Sequence, residues 1–213
     1  LSGSPGLCRR PMGRIVTPLR QMGVALRGRL SPATGEETAP LAMEARPAGQ
    51  RLNAARHRLQ IASAQVKSCL LLAGLAADGA TTVDEPGPSR DHTERMLRSM
   101  GVQVTSETLQ VDGVSMIRAT LQPPSGALKP LHTSMPGDFS SAAFLIVAAL
   151  ITPGSEVTLR GVGLNPLRTG LLEALGTMGA QIEVSAQQEH SGEPVGDLTV
   201  RHSRLHGTHV AGD

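Results

Sequence analysis

Two kinds of hydrophobic pattern alternate along the chain. In the first, apolar residues run almost without interruption, in "SAQVKSCLLLAGLAADGATTV" from Ser63 and in "SSAAFLIVAALITPGSEVTL" from Ser140. Ala142 to Ile151 has no polar position at all. A helix that is apolar all round predicts burial on every side, in the middle of a domain. The second pattern is amphipathic, with apolar residues at helical spacing, in "PLRQMGVAL", "MLRSMGVQV" and "LLEALGTMGAQIEV". Each of these closes on Met-Gly and passes into the alternation of a strand. The glycine is expected at the C′ position, in the left-handed region that ends many helices.

The pairs Met22-Gly23, Met100-Gly101 and Met178-Gly179 recur at an even spacing of about 78 residues, a period that signals repeated architecture. One unit reads strand, buried helix, strand, second helix, then strands. Residues 59–135 form one whole unit and residues 136–213 most of another. Residues 1–30 hold the back half of a unit, so an internal piece of a longer chain is expected. Residues 31–58, rich in Pro, Ala and Gly, suit loops and short edge strands. "PPSGALKP" (Pro123 to Pro130) and "SAQQEHSGEPVGD" (Ser185 to Asp197) read as connectors. Asp112-Gly113, inside "TLQVDGVSMIR", is a two-residue hairpin turn. The fold class is therefore α/β (α+β), built from repeated βαβαββ units with buried helices.

Three helix starts carry candidate chemistry: Ser63-Ala64-Gln65, Ser89-Arg90-Asp91-His92, and Asp138 with Ser140 and Ser141. The first turn of a helix presents unpaired N–H groups. With hydroxyls and a nearby cation it becomes an anion site. Ser63 with Gln65, joined by Ser89 with Arg90, could hold one phosphate between two helix starts. Taken singly, each serine reads better as an ordinary N-cap, and Asp138 or Ser140 is placed to cap the third helix. Arg10 precedes Pro11, a residue at home in a first helical position. That puts Arg10 at a helix mouth, although Arg9-Arg10 alone reads as a solvated basic pair. Lys67 stands in the early turns of an otherwise apolar helix. It either snorkels to water or faces a ligand.

Composition narrows the function classes. A formal net charge of +2 gives no strong nucleic-acid or membrane footprint. Aromatics are limited to Phe139 and Phe144, which argues against base-stacking platforms. The basic residues are almost all arginine, suited to two-pronged binding of carboxylate or phosphate. Cys8 and Cys69 make no disulfide framework, which points to a reducing compartment. No apolar run reaches membrane-span length. His202, His206 and His209 cluster in strand-like context that lacks a zinc geometry. No Walker loop, dinucleotide fingerprint or nucleophile elbow occurs.

"RPMGRIVTPLRQMG", "ASAQVKSCLLLAGL", "SRDHTERMLRSMGVQV", "PGDFSSAAFLIVAALITPGS" and "NPLRTGLLEALGTMGAQI" together resemble the 5-enolpyruvylshikimate-3-phosphate synthases of bacterial type, within the enolpyruvyl transferases. The resemblance runs in order over nearly the whole chain and is weakest at 31–58 and 185–197. It implies a two-domain inside-out barrel, incomplete here. Residues 1–135 would be part of the shikimate-phosphate domain. Residues 136–213 would be the first returning unit of the other domain, with Gly137 and Asp138 as hinge. The implied reaction joins shikimate 3-phosphate to phosphoenolpyruvate and releases phosphate. It implies no cofactor, no metal, no nucleic-acid or membrane partner, a cytoplasmic location and a monomeric full-length enzyme. It also implies that Ser63, Gln65 and the Ala64 backbone bind shikimate 3-phosphate, that Arg90 and Ser89 reach its phosphate, and that Arg10 grips phosphoenolpyruvate. Asp138 receives no proton-transfer role, and the catalytic groups are unassigned. The family's acid/base groups would lie beyond Asp213, and its Lys-Ser and Asn-Ala-Gly-Thr motifs before Leu1. The alternatives are a transferase of the same fold acting on UDP-N-acetylglucosamine, or a non-catalytic anion-binding repeat module.

Overall fold

The structure, a computed structural model, describes residues 1–210. Residues 211–213, the end of the expected second unit, lie outside the described residues. The chain forms two compact units, Leu1–Lys129 and Pro130–Asp213.

In the first unit a short 3-10 helix, Leu7–Arg9, leads into α1 (Gly13–Gln21). Strands β1 (Leu26–Leu30) and β2 (Glu37–Met43) then pair antiparallel. The remainder runs β3 (Arg56–Arg58), α2 (Ala64–Gly74), β4 (Thr81–Glu85), α3 (His92–Ser99), β5 (Val104–Val111) and β6 (Val114–Leu121). This is the order read from the hydrophobic pattern. The sheet order is β3-β4-β6-β5, with β3 parallel to β4 and the other pairs antiparallel. Val66, Leu70 and Leu71 of α2 are buried against Val83, Leu97 and Leu121. That contact seats the start of α2 beside the end of β4. Asp84, buried on β4, receives Arg118 from β6 at 2.7 Å and Arg56 from β3 at 2.8 Å. The Arg118 hydrogen bond, with that of Arg56, outweighs burial and holds the Asp84 carboxyl below its ordinary range.

The second unit runs α4 (Phe139–Ile151), β7 (Glu156–Gly163), α5 (Gly170–Thr177), β8 (Gln181–His190) and β9 (Glu193–Arg201). Its sheet order is β7-β9-β8, antiparallel throughout. Gly137 is fixed beside β7, donating to the Gly161 carbonyl at 2.8 Å and accepting from Gly163 N–H at 2.9 Å.

The punctuation expected from the pattern is present. Met22, Met100 and Met178 cap α1, α3 and α5. Gly23, Gly101 and Gly179 follow at φ of 86°, 84° and 89°. Asp112 and Gly113 both take positive φ, as a type I′ hairpin turn requires.

Three expectations need correction. Residues 185–197 are not a connector but most of the β8–β9 hairpin, which turns at Ser191 and Gly192 with φ of 54° and 85°. Much of β8 is solvent-exposed, so it needs no apolar alternation. Pro11 is not the first residue of α1. It bridges to Thr38, and Met12 N–H donates to the Glu37 carbonyl at 2.7 Å, so the helix begins only at Gly13, with Met12 as its N-cap. Finally, α4 is buried on one face only. Phe139, Ala142, Ile146, Ala149 and Leu150 pack with β7, α5 and β9, whereas Phe144 is 80% exposed and Leu145, Val147 and Ile151 are exposed beside it. A single three-stranded sheet can cover only one side of a helix.

Gly101→Ala tests the helix punctuation. A Cβ there sits 3.3 Å from the Lys129 side chain and must adopt the left-handed conformation. The substitution is expected to cost about 1–2 kcal/mol, read as a lower urea midpoint for the first unit. An unchanged midpoint refutes it.

Candidate functional site

The start of α2 is held by the end of β4. Ser63 is the N-cap, in extended conformation, and its hydroxyl oxygen accepts Val66 N–H at 3.4 Å. Pro86, Gly87 and Pro88 stop β4 immediately after Glu85. The Glu85 carboxylate therefore sits at the mouth of the helix rather than inside the sheet. One of its oxygens accepts the Ser63 backbone N–H at 3.2 Å. The other accepts the Ser89 hydroxyl at 2.8 Å and the Lys67 ammonium at 2.7 Å. Lys67 also reaches Glu94 at 2.8 Å and the Ser89 carbonyl at 3.4 Å.

Lys67 therefore neither snorkels nor faces a ligand. Its side chain is 3% exposed, and those of Glu85 and Glu94 are 1% exposed. A buried ammonium persists only when it is paired and hydrogen-bonded. Burial works to lower the Lys67 pKa, but hydrogen bonds and charge from Glu85 and Glu94 outweigh it, and the net direction is upward. Each carboxylate lies at a helix start, Glu85 at that of α2 and Glu94 in the first turn of α3. The positive end of a helix dipole favours negative charge there. The second oxygen of Glu94 is buried without a hydrogen-bond partner.

The structure thus brings Ser63 and Ser89 onto one carboxylate. Gln65 and Arg90, their neighbours in sequence, are exposed. Among the described hydrogen bonds, the first-turn N–H groups of Ala64 and Gln65 have no partner. Two adjacent helix starts therefore offer a hydroxyl, two backbone donors, an amide and a guanidinium. That set suits a phosphate group. Arg10 stands apart from this network: it is exposed, closes the 3-10 helix, and makes no described hydrogen bond to Ser63, Gln65, Ser89 or Arg90. A cleft of about 610 Å³ opens between α1 and the turn into α2, lined by Arg14, Thr17, His57, Arg58, Gln60 and Ser63 among others. It does not include Gln65, Ser89 or Arg90.

In the second unit, Asp138 rather than Ser140 caps α4. Its carboxylate accepts Ser141 N–H and the Ser141 hydroxyl, each at 3.1 Å. Arg168 donates to Asp138 at 2.8 Å and to the Ser140 oxygen at 2.7 Å. The Ser141 hydroxyl, with backbone N–H groups and the Arg168 charge, lowers the Asp138 pKa. Among the described residues no cluster of His, Cys, Asp and Glu could hold a metal ion. No described helix is long and apolar enough to cross a membrane.

The family model described as EPSP synthase (3-phosphoshikimate 1-carboxyvinyltransferase) matches residues 1–211. The chain belongs to the EPSP synthase family. A 3-phosphoshikimate 1-carboxyvinyltransferase of Anaeromyxobacter sp. is 49% identical over 212 residues, covering 100% of this chain and 45% of the relative. One from Thermus thermophilus is 50% identical, covering 99% of this chain and 45% of the relative. The solved EPSP synthase from Acinetobacter baumannii superposes with a TM-score of 0.80 at 42% identity, covering 98% of this chain and 44% of that one. The chain thus spans a little under half the length of these family members. Its mixed α/β architecture of several sheets agrees with the family fold, and none of the described sheets closes into a barrel.

Three residues central to these helix starts, Glu85, Glu94 and Arg168, escaped sequence reasoning as site components, and Lys67 was singled out without its role. Lys67 carried a signal, a lone cation in an apolar helix. Glu85 and Glu94 sit among polar neighbours, and only the packing of α2 on α3 and β4 selects them.

The ion triad makes a testable contribution to stability. Replacing Lys67 by Met leaves two buried carboxylates without their cation and is expected to cost roughly 3–5 kcal/mol. The Lys67 pKa is raised in the folded state, so its contribution is complete below the ordinary value of 10.5 and is lost only as pH rises through the folded value. Burial also pushes up the Cys69 thiol, so the comparison belongs in a Cys69→Ala background. There the melting temperature should hold through mild alkali and fall above it. Lys67→Met should show a lower melting temperature without that alkaline limb. An equal alkaline fall in both proteins refutes the assignment.

Proposed function

We propose that this chain supplies the shikimate-3-phosphate-binding part of a 3-phosphoshikimate 1-carboxyvinyltransferase. Such an enzyme transfers the enolpyruvyl group of phosphoenolpyruvate to shikimate 3-phosphate and releases phosphate. The observation that carries the reading is the pairing of Ser63 and Ser89 on Glu85, with Gln65 and Arg90 exposed at the same helix starts. The substrate phosphate would take the Ser63 hydroxyl, the Ala64 and Gln65 N–H groups and the Arg90 guanidinium. These interactions are charge-assisted and oriented, and catalysis of a reaction between two anions depends on such positioning. Arg10 would hold phosphoenolpyruvate by its two-pronged guanidinium, and closure of the domains would seal both substrates from water.

On this reading residues 1–135 belong to the shikimate-phosphate domain and residues 136–213 to the first returning unit of the second. Gly137-Asp138 is the crossing and hinge between them. The two-domain inside-out barrel buries its helices within each domain, and the uncovered face of α4 fits a helix awaiting further repeats of that kind. The reaction calls on no metal or organic cofactor, and the full-length enzyme is assigned to the cytoplasm as a monomer.

Calorimetric titration tests the reading. Shikimate 3-phosphate should bind this chain saturably, and UDP-N-acetylglucosamine should not. Arg90→Ala should weaken shikimate 3-phosphate by about 1.5–3 kcal/mol, the worth of a hydrogen bond to a charged group. In the full-length protein Arg10→Ala should raise the KM for phosphoenolpyruvate by a comparable energy. Preferential binding of the UDP-sugar, or of neither ligand by the folded chain, overturns the reading.

A further inference from the structure

Resting on that reading, we propose that Glu85 is a positioning residue that divides the labour of the two serines: Ser63 donates to the substrate phosphate, and Ser89 is a structural tether whose proton is directed inward. An ionised carboxylate accepts hydrogen bonds and donates none. At 2.8 Å from a Glu85 oxygen that also binds Lys67, the Ser89 hydroxyl must therefore be the donor. A hydroxyl has one proton, so Ser89 turns only lone pairs toward an incoming phosphate. Lone pairs facing an anion do not attract it. Ser63 is the opposite case. Its oxygen accepts the Val66 N–H, and its own proton has no described partner.

Glu85 sets both outcomes at once, because its other oxygen holds the Ser63 backbone N–H at 3.2 Å. That bond fixes the N-cap residue, and with it the direction of the Ser63 hydroxyl. Lys67 and Glu94 keep the Glu85 carboxylate from turning. The ammonium bridges the two carboxylates at 2.7 and 2.8 Å and touches the Ser89 carbonyl, within a setting that excludes water. Glu85 touches no solvent-facing ligand position itself, since its side chain is 1% exposed. It acts through the residues it holds.

The test is a mutant series read by calorimetric binding of shikimate 3-phosphate to this protein, with circular dichroism confirming the fold of each variant. Ser63→Ala should weaken binding by about tenfold or more. Ser89→Ala should cost at least several-fold less than Ser63→Ala. Glu85→Gln should weaken binding, and in a Ser63→Ala background it should add little, because the two act through one hydroxyl. A Ser89→Ala loss as large as that of Ser63→Ala overturns the proposal, as does full additivity of Glu85→Gln with Ser63→Ala. If Glu85→Gln fails to fold, the comparison of the two serine variants alone decides. Wild-type protein that is folded yet binds no shikimate 3-phosphate overturns the functional reading itself, which separates that failure from this one.

Discussion

One buried ammonium organises the first unit. Lys67 lies in the first turn of α2, where its neighbours Val66, Leu70 and Leu71 belong to the apolar core. Placing a cation there is unfavourable unless acceptors surround it. They come from two other elements, Glu85 at the end of β4 and Glu94 in the first turn of α3. The penalty for separating these charges couples the three elements. With them come the helix starts that carry Ser63 and Ser89. Removing one member of such a buried set costs far more than the set contributes in net stability, which holds the three elements in one arrangement. A single arrangement is what the proposed anion site requires.

The second unit solves a similar problem with the charges reversed. There the helix start is capped by an acid, Asp138, and the residue that reaches it from the segment before the next helix is a base, Arg168. In the first unit Glu85 and Ser89 reach the start of α2 from the strand end and the segment before α3. In both units the start of an apolar helix, α2 or α4, is tied to the chain ahead of the helix that follows, α3 or α5. The chemistry of the tie differs between the two units. The solvent exposure differs too. Glu85 is sealed at 1% exposure, whereas Asp138 is 48% exposed. Screening by water makes the second clamp the weaker of the two.

Much of the architecture was legible in the residues. Nearly continuous apolar runs marked α2 and α4, Met-Gly pairs marked the ends of α1, α3 and α5, and Asp112-Gly113 marked a hairpin. These succeed because each depends on local rules: helical periodicity, left-handed glycine and turn chemistry. The β8–β9 hairpin was missed because an exposed strand carries polar residues with little constraint. The full burial expected of α4 was an extrapolation from composition. A helix can be apolar on all sides while this chain supplies a partner for only one.

The sequence by itself determined the repeat, the order of elements within each unit, the capping serine of α2, and the family. All of these follow from contacts between near neighbours or from patterns held in linear order. The tertiary structure alone decided the fate of Lys67 and the pairing of Glu85 with Ser63 and Ser89. It also decided the direction of the Ser89 proton and the meeting of Arg168 with Asp138. Each of those joins residues separated in the chain, and a carboxylate's partner is selected by what the folded core leaves within hydrogen-bonding distance.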